Sequence, residues 1–179
     1  MLPGFRCMTW CYLFVHNTKV NSLNELLSTK FKTFIHKTTI YKKDNKKIRK
    51  QERQTIPGLI FVQGCKAEIQ DFLNDHCPDV YLATDCSTKA TAVIPDEVMR
   101  PFMQLDVGRN RIRFMPHSMS YYSEGHPLIK VTSGPLVGFE GYIIRISRNK
   151  CLVTSLGGIT VAINGIDKDS FENVGDHER

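Results

Sequence analysis

The chain has 179 residues, room for one medium domain or two small ones. With 41% apolar residues, including ten Phe, six Tyr and one Trp, it can bury a core, which excludes disorder of the whole chain. The formal charge of +6 is concentrated: Lys37, Lys42, Lys43, Lys46, Lys47, Arg49, Lys50 and Arg53 face only Asp44 and Glu52 in their segment, so attraction to a polyanion is local.

Met8 to Val15 is an apolar run that follows Arg6. It is too short to span a bilayer and lacks a small-residue cleavage site, so it reads as a buried strand. Met8 is a second candidate initiator, with Met1 to Cys7 as an extension. Within the run, Trp10 to His16 is rich in strand formers and suits a central strand. Asn21 and Ser22 are candidate caps for a helix whose apolar face is Leu23, Leu26, Leu27 and Phe31. Thr33 to Tyr41 returns to strand composition, and the Lys-rich Lys42 to Arg53 reads as an exposed hairpin loop.

The turn pair Pro57-Gly58 then opens a buried strand formed by Ile56 and Leu59 to Val62. Ile56 and Leu59, flanking that turn, are expected near solvent, where paired aliphatics point to use. Ile69, Phe72 and Leu73 have helical spacing, Val80 to Ala83 reads as a short strand, and Asp96 caps a helix with Val98, Met99, Phe102 and Leu105 on one face. The order βαββαβα argues for an α+β layer, one antiparallel sheet covered by helices.

After Gly108 the composition changes. Residues 109–123 show neither period and read as a linker, with Arg109, Arg111 and Arg113 on one face if extended. From Gly125 short strands alternate with turns, at Leu128 to Val131, Tyr142 to Ile146, Cys151 to Ser155 and Ile159 to Ile163, which suits a small closed barrel. The expected division is a first domain over 8–108, the linker over 109–123 and a barrel over 124–175.

No local signature of catalysis is present: no GxSxG, HExxH, GxxxxGK[ST] or GxGxxG. The six cysteines have no CxxC pair and no Cys/His spacing suited to zinc, so reduced thiols in a cytoplasmic protein are expected, with no metal, no cofactor and no membrane partner. The basic run can contact phosphates through Lys42, Lys43, Lys46, Lys47, Arg49, Lys50 and Arg53, giving salt-dependent affinity.

Two stretches carry a family resemblance. Lys130 to Ile163, with its core Gly134-Pro135-Leu136-Val137-Gly138-Phe139-Glu140-Gly141, resembles the KOW motif. Its glycines suit tight turns and close strand approach. Arg49 to Val62, with Ile56-Pro57-Gly58-Leu59, is similar to the segment entering the third strand of the NusG N-terminal (NGN) domain. With Trp10 near the start and a helix from Asp96, the order resembles a NusG-type transcription factor from Met8 to about Val174, most like the UpxY-type specialised paralogs of capsular polysaccharide operons.

The resemblance implies a ferredoxin-like NGN domain followed by an SH3-like KOW barrel. It implies a non-enzymatic elongation or antitermination factor that binds the β′ clamp helices of RNA polymerase and meets nucleic acid in the elongation complex. The residues matching the polymerase-binding surface are Phe14, Ile56, Pro57, Leu59 and Phe61. General members use a Phe between the last barrel strands to contact Rho or a ribosomal protein. Here Leu156 holds that place, in the partner loop Leu156-Gly157-Gly158, so this chain departs from the family's pattern at the residue through which Rho or a ribosomal protein is contacted. The alternative reading is a ribosome-associated KOW protein that binds ribosomal RNA.

Overall fold

The computed structural model describes residues 9–44, 47–86, 88–105, 112–166 and 171–174. The candidate start at Met8, the domain boundary at Gly108 and the residues Arg109 and Arg111 lie outside them. The chain divides into two compact units, one drawn from Met1–His36 and Ile56–Met99, the other from Lys37–Thr55 and Arg100–Arg179. The first combines helices with a sheet and the second is rich in strands.

In the first unit β1 (Thr9–Phe14), β2 (Lys32–Phe34) and β5 (Leu59–Gln63) join β6 (Ile94–Pro95) in one sheet of order β2-β5-β1-β6. Every ladder in it is antiparallel. Alternation along the central strands creates two faces. Cys11 and Leu13 of β1 and Ile60 and Val62 of β5 turn to one side, where they pack with Val20, Leu23 and Leu27 of α1 (Val20–Ser28) and Ile69 and Leu73 of α2 (Lys66–His76). Burying a Leu or Ile of this kind stabilises by about 1.5–3 kcal/mol before entropy is counted. The helices sit here because each has its apolar residues at three- and four-residue spacing and nothing else to cover them.

Several expected details differ. Asn21 and Ser22 do not cap α1 but lie inside it; a 3-10 turn over Asn17–Lys19 precedes the helix, and the side chain of His16 accepts from the Thr18 amide. The strand expected at Val80 to Ala83 reduces to a bridge from Leu82 to Leu13, with the Ala83 amide donating to the Tyr12 carbonyl. Farther along that edge of β1 the partner is β6, paired with Thr9 and Trp10. Its Pro95 has no N–H to give a ladder, which is tolerated at a sheet edge and hides the strand from a propensity reading. The helix expected to reach Leu105 is α3 (Asp96–Met103), with Pro101 inside it, and the two units divide within it.

The basic segment is not a loop. Lys37–Asp44 (β3) and Lys47–Gln54 (β4) pair along eight residues, from Lys37↔Gln54 to Asp44↔Lys47, as a separate two-stranded ribbon. Ladder hydrogen bonds hold it in place of apolar periodicity, so the pattern that marks strands elsewhere is missing. At its base Thr38 and Thr55 share a hydroxyl hydrogen bond of 2.6 Å.

The remaining strands of the second unit are β7 (Ile112–Phe114), β8 (Ile129–Val131), β9 (Glu140–Ile146), β10 (Asn149–Leu156), β11 (Ile159–Asn164) and β12 (Phe171–Asn173), in the order β12-β8-β9-β10-β11-β7. No ladder joins β12 to β7 among the described residues, so the closure expected of a barrel is not part of this sheet. Nor is the linker structureless: β7 pairs with β11, and Met119–Tyr122 forms a 3-10 turn whose Tyr122 packs on Cys151, Val153 and Ala162. Arg113 is therefore held in a strand, opposite Ala162. Ile112 and Phe114 supply the apolar alternation that a three-residue strand is too short to reveal.

Candidate functional site

The face of the first sheet away from α1 and α2 is aromatic. Phe14, Tyr12, Phe61, Phe34 and His36 form a row of ring contacts with centroids about 6 Å apart, running across β1, β5 and β2. Edge-to-face and tilted geometry of this kind adds to simple burial. Burial pushes the Tyr12 hydroxyl up to about 12, with Asp85 and Cys86 adding to the shift. Burial also lowers the His36 pKa, keeping its ring neutral.

At the end of this row the chain turns. Val15 donates to the Gly58 carbonyl at 2.9 Å, and Phe14 lies opposite Leu59 in the ladder. Gly58 has φ +83°, and a Cβ there would collide with the Val15 carbonyl oxygen, so only glycine lets the two segments meet. Of the five residues expected to form the polymerase-binding surface, Phe14 is 51% exposed, Pro57 is exposed and Ile56 half-buried. Leu59 and Phe61 are 2% and 1% exposed. Leu59 is thus not the solvent-facing aliphatic expected beside the turn. It is the first residue of β5, a strand whose residues Leu59 to Val62 are all buried, so both of its faces are covered. The Val15–Gly58 contact joins the end of β1, where Phe14 is half exposed, to the turn carrying Ile56 and Pro57, while Leu59, beside Phe14 on the same face, and Phe61 are buried.

At the other end of the same face the indole N–H of Trp10 donates to Asp96 Oδ1 at 2.9 Å, and the Gln63 amide donates to the same oxygen at 2.9 Å. Asp96, read from the sequence as a helix cap, is buried and fastens the start of α3 to β1 and β5. The available signal was Trp10 itself, since a buried indole demands an acceptor. Lys32 lies with its ammonium 5.6 Å from the Trp10 ring centroid.

On the ribbon, Lys42, Lys47, Arg49, Lys50 and Arg53 are exposed. Lys46 and the side chain of Lys43 lie outside the described residues. In the second unit the Gly134 to Gly141 segment is the connection from β8 to β9, closed by hydrogen bonds from Gly138 to Val131 and from Val131 to Phe139, both 2.9 Å. Pro135 is exposed, while Leu136 and Phe139 are buried and anchor the turn. Gly134 and Gly138 have φ +87° and +90°. Gly141 is required for a different reason: a Cβ would strike the Val153 carbonyl, because β9 and β10 approach there at backbone distance.

Gly157-Gly158 forms the two-residue turn between β10 and β11, with Leu156 paired to Ile159. Leu156 is 1% exposed. It is a core residue and not a contact displayed on a loop, because β10 extends to it and buries it. An exposed stack of Tyr121 on His117, centroids 4.2 Å apart, had no sequence signal beyond the residue types.

Among the described residues no group of three or more His, Cys, Asp or Glu could hold a metal ion, and no helix is long and apolar enough to cross a membrane. No protein-family model matches the sequence, and no curated protein matches it.

Proposed function

We propose that the chain is a NusG-type transcription elongation or antitermination factor of the UpxY style, with an NGN domain followed by a KOW domain, acting by binding and without a reaction of its own in the cytoplasm. The observation that carries this reading is the apolar edge at the Val15–Gly58 contact, where Phe14, Ile56 and Pro57 are gathered at the end of a helix-backed antiparallel sheet. It occupies the position where the resemblance puts the contact with the β′ clamp helices. The Gly134 to Gly141 turn supports the same reading, since its glycines meet real steric demands at a strand junction. Leu59 and Phe61, buried on the same face, support this surface as core residues of β5. The basic ribbon meets nucleic acid of the elongation complex. Processive transcription of particular operons, such as polysaccharide loci, is the expected outcome.

Purified bacterial RNA polymerase provides the test. The full chain binds core polymerase, and Phe14→Glu lowers affinity at least about tenfold, since burying a carboxylate without a partner costs several kcal/mol. Because Phe14 is half exposed, the variant keeps the wild-type circular dichroism spectrum. Absence of polymerase binding by the wild-type chain, or recovery of ribosomal proteins and ribosomal RNA in its place, overturns the proposal.

A further inference from the structure

The ladder between β3 and β4 determines which cations share a surface. Residues directly opposite lie on the same face, as do residues two apart on one strand. The register therefore sets Lys42, Lys47, Arg49 and Arg53 on one face together with Thr38 and Gln51. Lys37, Lys50, Glu52 and Gln54 occupy the other, with Ile48 and the register position of Lys43. The first face holds both arginines of the ribbon and the direct cross-strand pair Lys42↔Arg49. Its acidic register position is Asp44, opposite Lys47. Each face has one acidic register position, Asp44 on the first and Glu52 on the second, and one isoleucine position, Ile40 and Ile48; the first is set apart by its two arginines and the Lys42↔Arg49 pair.

Like charges directly opposite weaken a two-stranded ribbon, so the Lys42↔Arg49 pair does not serve its stability. An external polyanion removes that penalty. Arginine adds planar two-point hydrogen bonding to phosphate, which lysine lacks. Arg49 and Arg53, four residues apart on one strand, lie roughly 13 Å from each other, and Lys42 broadens the row across the ribbon. Such a row can follow a phosphate backbone. A two-stranded ribbon also fits the major groove of B-form DNA, which is about 12 Å wide. The described residues of this face include no aromatic ring, whereas surfaces for single strands rely on rings that stack with bases.

We infer that the face bearing Lys42, Lys47, Arg49 and Arg53 binds the phosphate backbone of duplex nucleic acid, with little dependence on sequence. This deepens the nucleic-acid part of the proposed function and stands apart from polymerase binding, which is carried by residues of the other unit.

Fluorescence anisotropy of the full chain with a labelled 20-base-pair DNA duplex, an RNA duplex and the corresponding single strands tests it, with phosphatidylserine vesicles as a further arm. Four phosphate contacts predict a slope of log affinity against log salt of about −3.6, so affinity falls roughly 150-fold between 50 and 200 mM salt. Two double variants remove equal charge from opposite faces. Lys42→Gln with Arg49→Gln makes the slope shallower by about 1.8, while Lys37→Gln with Lys50→Gln changes it by less than about 0.5. Thermal melts establish that both remain folded. Preference for either duplex names the source of the backbone and supports the inference. Equal losses in the two double variants, tighter binding to single strands, or binding to vesicles without binding to duplex overturns it. Polymerase binding without duplex binding removes this inference alone, and duplex binding without polymerase binding removes only the polymerase reading.

Discussion

The sheet of the first unit and the β3–β4 ribbon are both antiparallel, yet they are held together by opposite means. Trp10, Tyr12, Leu13, Leu59, Ile60 and Phe61 are buried in the sheet, so its strands depend on what lies above and below them. Every described residue of β4 is exposed except Gln54, which is half-buried, so the ribbon depends on its own ladder. Substitution within the sheet is therefore a stability event. Substitution on the ribbon is an electrostatic one, free to follow a ligand.

Leu59→Asp offers the sharpest break of that comparison. It places a charge at a 2% exposed position, and loss of the cooperative thermal transition is expected, since several kcal/mol is a large share of a small domain's stability. A folded Leu59→Asp protein would show that β5 is not a core strand. Asp96→Ala comes next. It leaves the Trp10 indole and Gln63 without their shared acceptor and costs about 1–3 kcal/mol, readable as a lower midpoint in urea. A midpoint within error of wild type would mean that α3 is not fastened through this carboxylate.

A smaller effect comes from pH. His36 is 5% exposed and its folded pKa is lowered by burial, so the unfolded chain binds the proton more readily. Its contribution to stability is present above the unfolded value of about 6.5 and declines as pH falls below it. His36→Phe should flatten the stability profile between about pH 6.5 and 5. An unchanged acid limb would assign the loss to other groups. The smallest effect belongs to the ribbon: Lys42→Gln with Lys47→Gln should move stability by no more than about 0.5 kcal/mol, because exposed charges contribute little. A large drop in the melting midpoint would make these side chains structural.

What the sequence revealed follows the same division. β1, α1, β5 and α2 were legible because a two-sided core leaves continuous apolar runs or helical spacing, as in Trp10 to Leu13 and Leu23 to Leu27. The start of β3 was legible as strand within Thr33 to Tyr41, whereas Lys42 to Arg53 was legible as charge and hairpin but not as strand, since its cohesion lies in backbone hydrogen bonds that no side-chain pattern encodes. β6 was hidden by Pro95, and β7 by its three-residue length. For the candidate site, the turn chemistry of Pro57-Gly58 singled out Ile56 and Leu59, and Phe14 and Pro57 joined them only through the family resemblance. That Leu59 and Phe61 are buried could not be read there, because the cover over that face of β5 comes from elsewhere in the fold. Leu156 was misplaced because β10 runs one residue farther than the strand expected to end at Ser155, which buries it.

The ribbon also bears on how the chain folds. β2 must find β5 across the inserted segment, and Phe34 and Phe61, register partners, are separated by roughly 27 positions along the chain. A hairpin closes locally, on the order of 1–10 μs, and once β3 and β4 have zipped, Lys37 and Gln54 are neighbours. Roughly ten flexible positions then remain between Phe34 and Phe61, which lowers the entropy of closing that loop by about 0.9 kcal/mol. A ribbon whose β4 residues are nearly all exposed thereby shortens the search by which the core assembles, and low salt, by setting its cations against one another, should slow the step.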